Sequence, residues 1–203
     1  MLKQALHRCF GSSRRLLARV AHDCEGVAAI EFGYLAPVML IMLIGTLEVS
    51  RAINMDRRFG VVTAMTGDLI AREKTMNDTQ LEAIMESIAH VMRPYESSSL
   101  KVSVISVKAS STDANDTRVE WSYGHNGGTP PAQCASYTLP SGMVSPGASV
   151  IVVETSYDFT PLITGFVYKG LSFSPKSWTD KSIHSPRNSC VDYNGTNCVL
   201  TCT

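Results

Sequence analysis

One carboxylate interrupts the most apolar run of this 203-residue chain. Glu31 stands within GVAAIEFGYLAPVMLIMLIGTLEV, residues 26–49, and no other charge lies between Gly26 and Leu47. An acid inside a bilayer costs about 2.5–3.5 kcal/mol at the centre, so such a residue reads as functional by default. Near the end of an apolar run, the side chain can instead reach the headgroup region. A second set of reactive residues is Cys134, Cys190, Cys198 and Cys202, with Cys9 and Cys24 near the start. In an oxidising compartment the first four predict two disulfides, and three connectivities are open to them. The spacing Cys-x7-Cys-x3-Cys does not match the short knuckles of zinc sites. Catalytic patterns are missing. His7, His22, His90, His125 and His184 are scattered, and no Gly-x-Ser-x-Gly, His-Glu-x-x-His or phosphate-loop pattern occurs. Asp56, Asp68, Asp78, Asp113 and Asp116 lack calcium-loop spacing. His125 sits near Asp116 and beside Gly127 and Gly128, a grouping that reads as a turn. The expectation is a protein that is not an enzyme and holds no metal or cofactor.

The elements that must position Glu31 follow from the charge distribution. Lysine plus arginine and aspartate plus glutamate balance at 18 each, which excludes a strongly basic nucleic-acid binder. The balance hides segregation. Residues 1–25 carry five bases (Lys3, Arg8, Arg14, Arg15, Arg19) and two acids (Asp23, Glu25), so 5 − 2 = +3. Residues 26–50 carry only Glu31 and Glu48, and the rest of the chain is close to neutral. A helix over residues 26–47 would be about 33 Å long at ~1.5 Å per residue, enough for a hydrocarbon core of ~30 Å. A buried core helix would show a polar stripe, and Tyr34 to Leu47 has none. A cleaved secretory signal would have a shorter apolar region ending at a small-x-small site, which is absent. The basic leader predicts a cytoplasmic N-terminus and an external C-terminal bulk. Arg51, Arg57 and Arg58 follow the span closely and dilute that signal. Pro37 lies within the span and frees the carbonyl of Gly33, which predicts a kink of purely structural meaning. Glu48 and Arg51 are three apart and predict an ion pair on one helix face at the outer boundary.

The order of these residues carries a resemblance. Gly26, then four residues, then Glu31-Phe32, placed between a basic leader and an apolar helix, resembles the processing site of type IV prepilins. The run from Gly26 to Arg51 resembles the TadE-like family, minor pseudopilins of the tight-adherence (Flp) pilus system. The shared residues are Ala28-Ala29-Ile30-Glu31-Phe32, Leu35-Ala36-Pro37 and Gly45-x-x-Glu48-x-x-Arg51. Residues 150–166, VIVVETSYDFTPLITGF, resemble the family's C-terminal strand-turn pattern. The resemblance implies that a prepilin peptidase cuts between Gly26 and Val27. The new amine on Val27 would then be neutralised by Glu31 of a neighbouring subunit. It also implies other pilin and pseudopilin subunits as partners through the apolar helix, and an inner-membrane assembly platform. The place implied is a single-pass protein of the bacterial inner membrane with a periplasmic head, or extracellular once in a pilus. The rivals are a permanently anchored periplasmic binding or adhesion module, and an anchored enzyme, for which no constellation is present.

Past the span, helical character is expected to continue. Ile53, Phe59, Val61, Val62, Met65 and Leu69 are apolar but irregular in period, and Gly60 and Gly67 weaken the pattern. A second helix is clearer. Thr79-x-x-Glu82 reads as a capping box, Leu81, Ile84, Met85, Ile88 and Met92 form one stripe, and Pro94 ends it. From Leu100 the period becomes two. Strands are expected over LKVSVISVKA (with a bulge or two-sided burial near Ile105), 117–125, 148–159 and 170–179, the last pushed to an edge by Pro175. A loop rich in Gly, Pro, Ser and Thr covers about 126–148. The fold class expected is α+β: a transmembrane helix as a pilin-like stalk, then a head with a helix and an antiparallel sheet. The expected divisions are a leader (1–26), a span (27–49), a helical stalk with the second helix (50–94), and a β-rich head with a disulfide-bearing tail (95–203).

Overall fold

A computed structural model describes residues 25–160, 176–196 and 198. The chain divides into two compact units, residues 1–47 and 48–203. A single long helix, α1 (Glu25–Arg72), runs through the division, with Pro37 inside it. The freed Gly33 carbonyl does not end the helix, and a Cβ at Gly33 would meet nothing within 4 Å.

In the first unit, α1 buries nothing. Ile30, Phe32, Tyr34, Leu35, Met39 and Met42 are all at least 59 % exposed, although every one would normally seek a core. The helix is long and apolar enough to cross a membrane, with a window of mean hydropathy 2.1 and no buried residue in it. A core helix of a soluble domain would be covered, and no described residue covers this segment.

The second unit begins with the rest of α1. It continues through β1 (Thr75–Met76), α2 (Asp78–Val91), a 3-10 turn (Ser97–Ser99) and the strands β2 (Leu100–Ala109), β3 (Thr117–His125), β4 (Ser149–Phe159), β5 (Lys176–His184) and β6 (Asp192–Tyr193). The main sheet is antiparallel in the order β3-β2-β4-β5. The expected two-sided burial and bulge in β2 are both present: the register against β3 shifts between Ser106 and Val107. Alternate β2 residues therefore feed two cores. Val102 and Val104 join Met55, Phe59, Val62 and Leu81 under the helices. Ile105, Val107 and Ala109 join Val144 and Val152 beneath the loop that follows β3, with Tyr137 and Leu139 packed on them.

Two expectations are corrected. The cap of α2 is Asn77, not Thr79. The Gln80 amide donates to Asn77 Oδ1 at 2.9 Å, and the Asn77 amide donates to Gln80 Oε1 at 3.1 Å, so the box closes two residues earlier and leaves Thr79 in the first turn. The fourth strand, Lys176–His184 among the described residues, runs on past 179, the end expected for it, and pairs with β4 along that length. As expected, this strand is at a sheet edge; residues 170–175 lie outside the described residues.

The irregular period past Arg51 has a simple cause. The core face of α1 is Met55, Phe59, Val62, Thr63, Thr66 and Ile70, all buried. Two of these are threonines, which a hydrophobicity pattern skips. Their hydroxyls are satisfied: Thr63 and Thr66 donate to the carbonyls of Phe59 and Val62 at 3.0 and 2.7 Å. Thr63 Oγ1 also lies 2.6 Å from Thr155 Oγ1 on β4, and Ser182 Oγ on β5 donates to the Thr63 carbonyl at 3.0 Å. Gly67 is a packing position, since a Cβ there would come within 2.2 Å of His184 Cδ2.

Candidate functional site

The residues singled out for processing and assembly lie on the first turns of α1. Gly26, Val27, Glu31 and Phe32 are all helical and exposed. Val27 and Glu31 are four apart, so they lie one turn from each other, about 6 Å along the axis. Glu31 makes no hydrogen bond or ion pair with any described residue. A Cβ on Gly26 would meet nothing within 4 Å. The glycine is therefore not needed to fill a tight place in this fold. The Gly26–Val27 peptide is inside the helix, and a peptidase that reads an extended strand would have to unwind the first turn to reach it.

At the start of the second unit, Glu48 Oε1 and Arg51 Nη1 are 3.7 Å apart. The approach is an ion pair without hydrogen-bond geometry, since Arg51 Nη1 and Glu48 Oε2 have no hydrogen-bond partner. The Arg51 backbone is anchored instead: its carbonyl accepts from Tyr95 Oη at 2.9 Å. Arg58, two turns further, donates to the carbonyls of Val91 and Arg93 at 3.2 and 2.7 Å. These are carbonyls that the end of α2 leaves without helical partners.

Of the cysteines, Cys190 and Cys198 are joined by a disulfide, with Cα atoms 6.2 Å apart. Cys134 is disulfide-bonded too, and Cys202 lies outside the described residues. Among the described residues no cluster of three or more His, Cys, Asp or Glu is arranged to hold a metal ion. The turn reading of His125 is borne out. Its carbonyl accepts from the Gly128 amide at 2.9 Å, and Asn126 and Gly127 take φ of 50° and 83°.

Sequence reasoning missed the buried carboxylate of Glu120, which is 2 % exposed on β3. Ser106 Oγ donates to its Oε2 at 3.0 Å, Lys108 Nζ lies 3.8 Å from its Oε1, and Oε1 has no hydrogen bond. Burial pushes this carboxyl above its ordinary value, against the Ser106 hydrogen bond and the Lys108 charge. Lys108 also donates to the Cys198 carbonyl at 2.7 Å, which ties the disulfide-closed tail to the same spot. An acid at an inward strand position has no signature in one sequence. Nearby, the tail crosses Trp121. The indole donates to the Val191 carbonyl at 2.9 Å, and Tyr193 stacks on it with centroids 4.8 Å apart. Tyr193 Oη donates to Asp78, and burial together with this bond raises the phenol to about 12.

With this geometry in place, the family comparison bears directly on α1. The model of the TadE-like protein family matches residues 26–65. That stretch contains the processing block, the apolar run and the first turns of the packed half, so the resemblance read from Gly26 to Arg51 holds. Residues 150–166 lie outside the matched stretch. No curated protein and no solved structure matches the chain.

Proposed function

We propose that this chain is a minor pseudopilin-like structural protein of a Flp/Tad-type pilus assembly system, and not an enzyme. The observation that carries the reading is the coincidence of three things on α1. The TadE-like match covers 26–65, the Gly26-x4-Glu31-Phe32 pattern opens it, and the apolar half of the helix touches nothing. In this reading α1 crosses the bacterial inner membrane once, the basic leader stays in the cytoplasm and the head folds in the periplasm. A prepilin peptidase removes residues 1–26. Lateral contacts of the apolar helix with other pilin and pseudopilin subunits, within lipid and at the assembly platform, bring Glu31 to a neighbour's Val27 amine. Such a pair inside lipid sets register, because leaving either charge alone is costly.

Mass spectrometry of the mature N-terminus tests this. The expected product starts at Val27 and has 203 − 26 = 177 residues. Gly26→Arg is expected to abolish the cut while the head keeps its fold, since the site is open. A chain that retains Met1, with mobility indifferent to Gly26→Arg, would establish the permanently anchored module instead.

A further inference from the structure

The outward face of the packed half of α1 carries apolar side chains that no described residue covers. Ile53, Val61 and Met65 are 48 %, 58 % and 44 % exposed. Arg57 lies between Ile53 and Val61, one turn from each, exposed and without a hydrogen bond or ion pair among the described residues. Its neighbours are committed, Arg51 to Glu48 and Arg58 to the carbonyls at the end of α2. Together they form a slowly winding apolar stripe with one unused cation at its centre.

The head carries a groove of complementary character. A hollow of about 380 Å³ runs beside α2, with Met85 and Ala89 on one side and Ser98 and His125 on the other, and with Glu82 and Glu86 on its rim. It shares Glu86, Ala89, Ser97 and Ser98 with a second hollow of about 640 Å³ that includes Arg93, Tyr95 and Glu96. The groove is apolar at the base and acidic along the α2 rim, which suits an apolar ridge bearing a cation.

Height decides which ridge can reach it. Tyr95 reaches the Arg51 carbonyl and Arg58 reaches the Arg93 carbonyl, so the lower end of the groove is level with the Arg51–Arg58 turns of α1. The Ile53–Val61 stripe and the groove therefore lie at one level of the same head, so two heads side by side bring them together without displacement along α1. We infer that the α2 groove receives the Ile53–Arg57–Val61 face of α1 from a second copy of this chain, with Arg57 set between Glu86 and Glu96. This rests on the membrane insertion proposed above, but not on cleavage. The two surfaces are different patches, so the contact is heterologous and extends into rows or rings rather than closing a two-fold dimer.

The test uses the full-length chain in phospholipid vesicles, with a photoreactive amino acid in place of Ile53. The expected product is a cross-linked species of twice the chain mass whose attachment point maps to residues 82–98. Arg57→Glu is expected to lower its yield about fivefold, the effect of losing and reversing a modest ion pair. Glu86→Arg added to Arg57→Glu should restore at least half of it. Attachment to α1 of the other copy, no product of double mass, or indifference to Arg57→Glu would each overturn the inference. The read-out is independent of the N-terminus. A cross-link at 82–98 on a chain that keeps Met1 retains the contact and removes the pseudopilin processing, and a start at Val27 with no cross-link does the reverse.

Discussion

The two halves of α1 share one backbone and obey opposite rules. From Gly26 to Leu47 every side of the helix is apolar, and almost all of it is exposed. From Glu48 to Arg72 the helix is amphipathic and its inner face is closed over by the sheet and α2. Apolar content alone does not distinguish them, because Ile53 and Val61 are as apolar as Ile41 and Val38. What separates the halves is the presence of polar residues that fix orientation. Thr63 and Arg58 have specific partners elsewhere in the head, whereas among the described residues the first half has no polar side chain with a partner outside its own turn. A uniformly apolar helix waits for a uniform solvent, and a helix with satisfied hydroxyls on one face has chosen a protein surface.

The sharpest way to break this comparison is truncation on each side of the boundary, with the full chain in detergent micelles. Phe59→Ala removes a 2 %-exposed ring that packs 6.3 Å from the Tyr157 ring, and should cost about 3–5 kcal/mol of head stability in chemical denaturation. Ile41→Ala should leave the same transition unmoved. An equal loss at both positions would mean that the first half is also part of the core. Gly67→Ala should come next. The added methyl overlaps the His184 ring and should cost about 1–3 kcal/mol, with His184→Ala in the same chain recovering most of it. The equivalent change at Gly45, where the site is open, should be neutral or slightly stabilising.

Smaller effects sharpen the polar side of the contrast. The folded head holds Tyr193 as the neutral phenol up to about 12, above the ordinary 10. The stability this provides is fully present below about pH 10 and is lost as pH rises through about 12. Tyr193→Phe should therefore cost about 1 kcal/mol near neutrality and flatten that part of the alkaline limb, read as the difference in melting temperature against pH. Glu120 works with the same sign at the acid end. Its carboxyl is raised above 4.5 by burial, so the head loses stability as pH climbs from below that value, and Glu120→Gln should remove that slope.

How much was readable beforehand varied with how local the cause was. The apolar half of α1 is one unbroken run from Gly26 to Leu47, and the strand periods and the bulge in β2 come from alternation within about ten residues, so the sequence carries them directly. The α2 cap was read two residues late because Thr79 and Glu82 mimic the pattern that Asn77 and Gln80 complete. The inner face of α1 was hidden because two of its members are threonines, and the cross-sheet partner of Thr63, Thr155, lies 92 residues away. Of the candidate site, the order Gly26, Glu31 and Phe32 was legible as a motif. The Glu120–Lys108 pair was not, since neither residue type announces burial. The Cys190–Cys198 pairing was one of three equal options until distance decided it.

The strap over Trp121 has a consequence for timing. The Arg187 amide donates to the Ala71 carbonyl, β6 pairs in parallel with β1, and Val191 caps the indole. These three partners, Ala71, β1 and Trp121, leave the ribosome about seventy residues or more before the strap that covers them. The head must therefore wait, with Trp121 and the end of α1 uncovered, until the last stretch has been made. A chain cut short before residue 187 would show that unfinished patch to any protease it meets, whereas a finished one hides it.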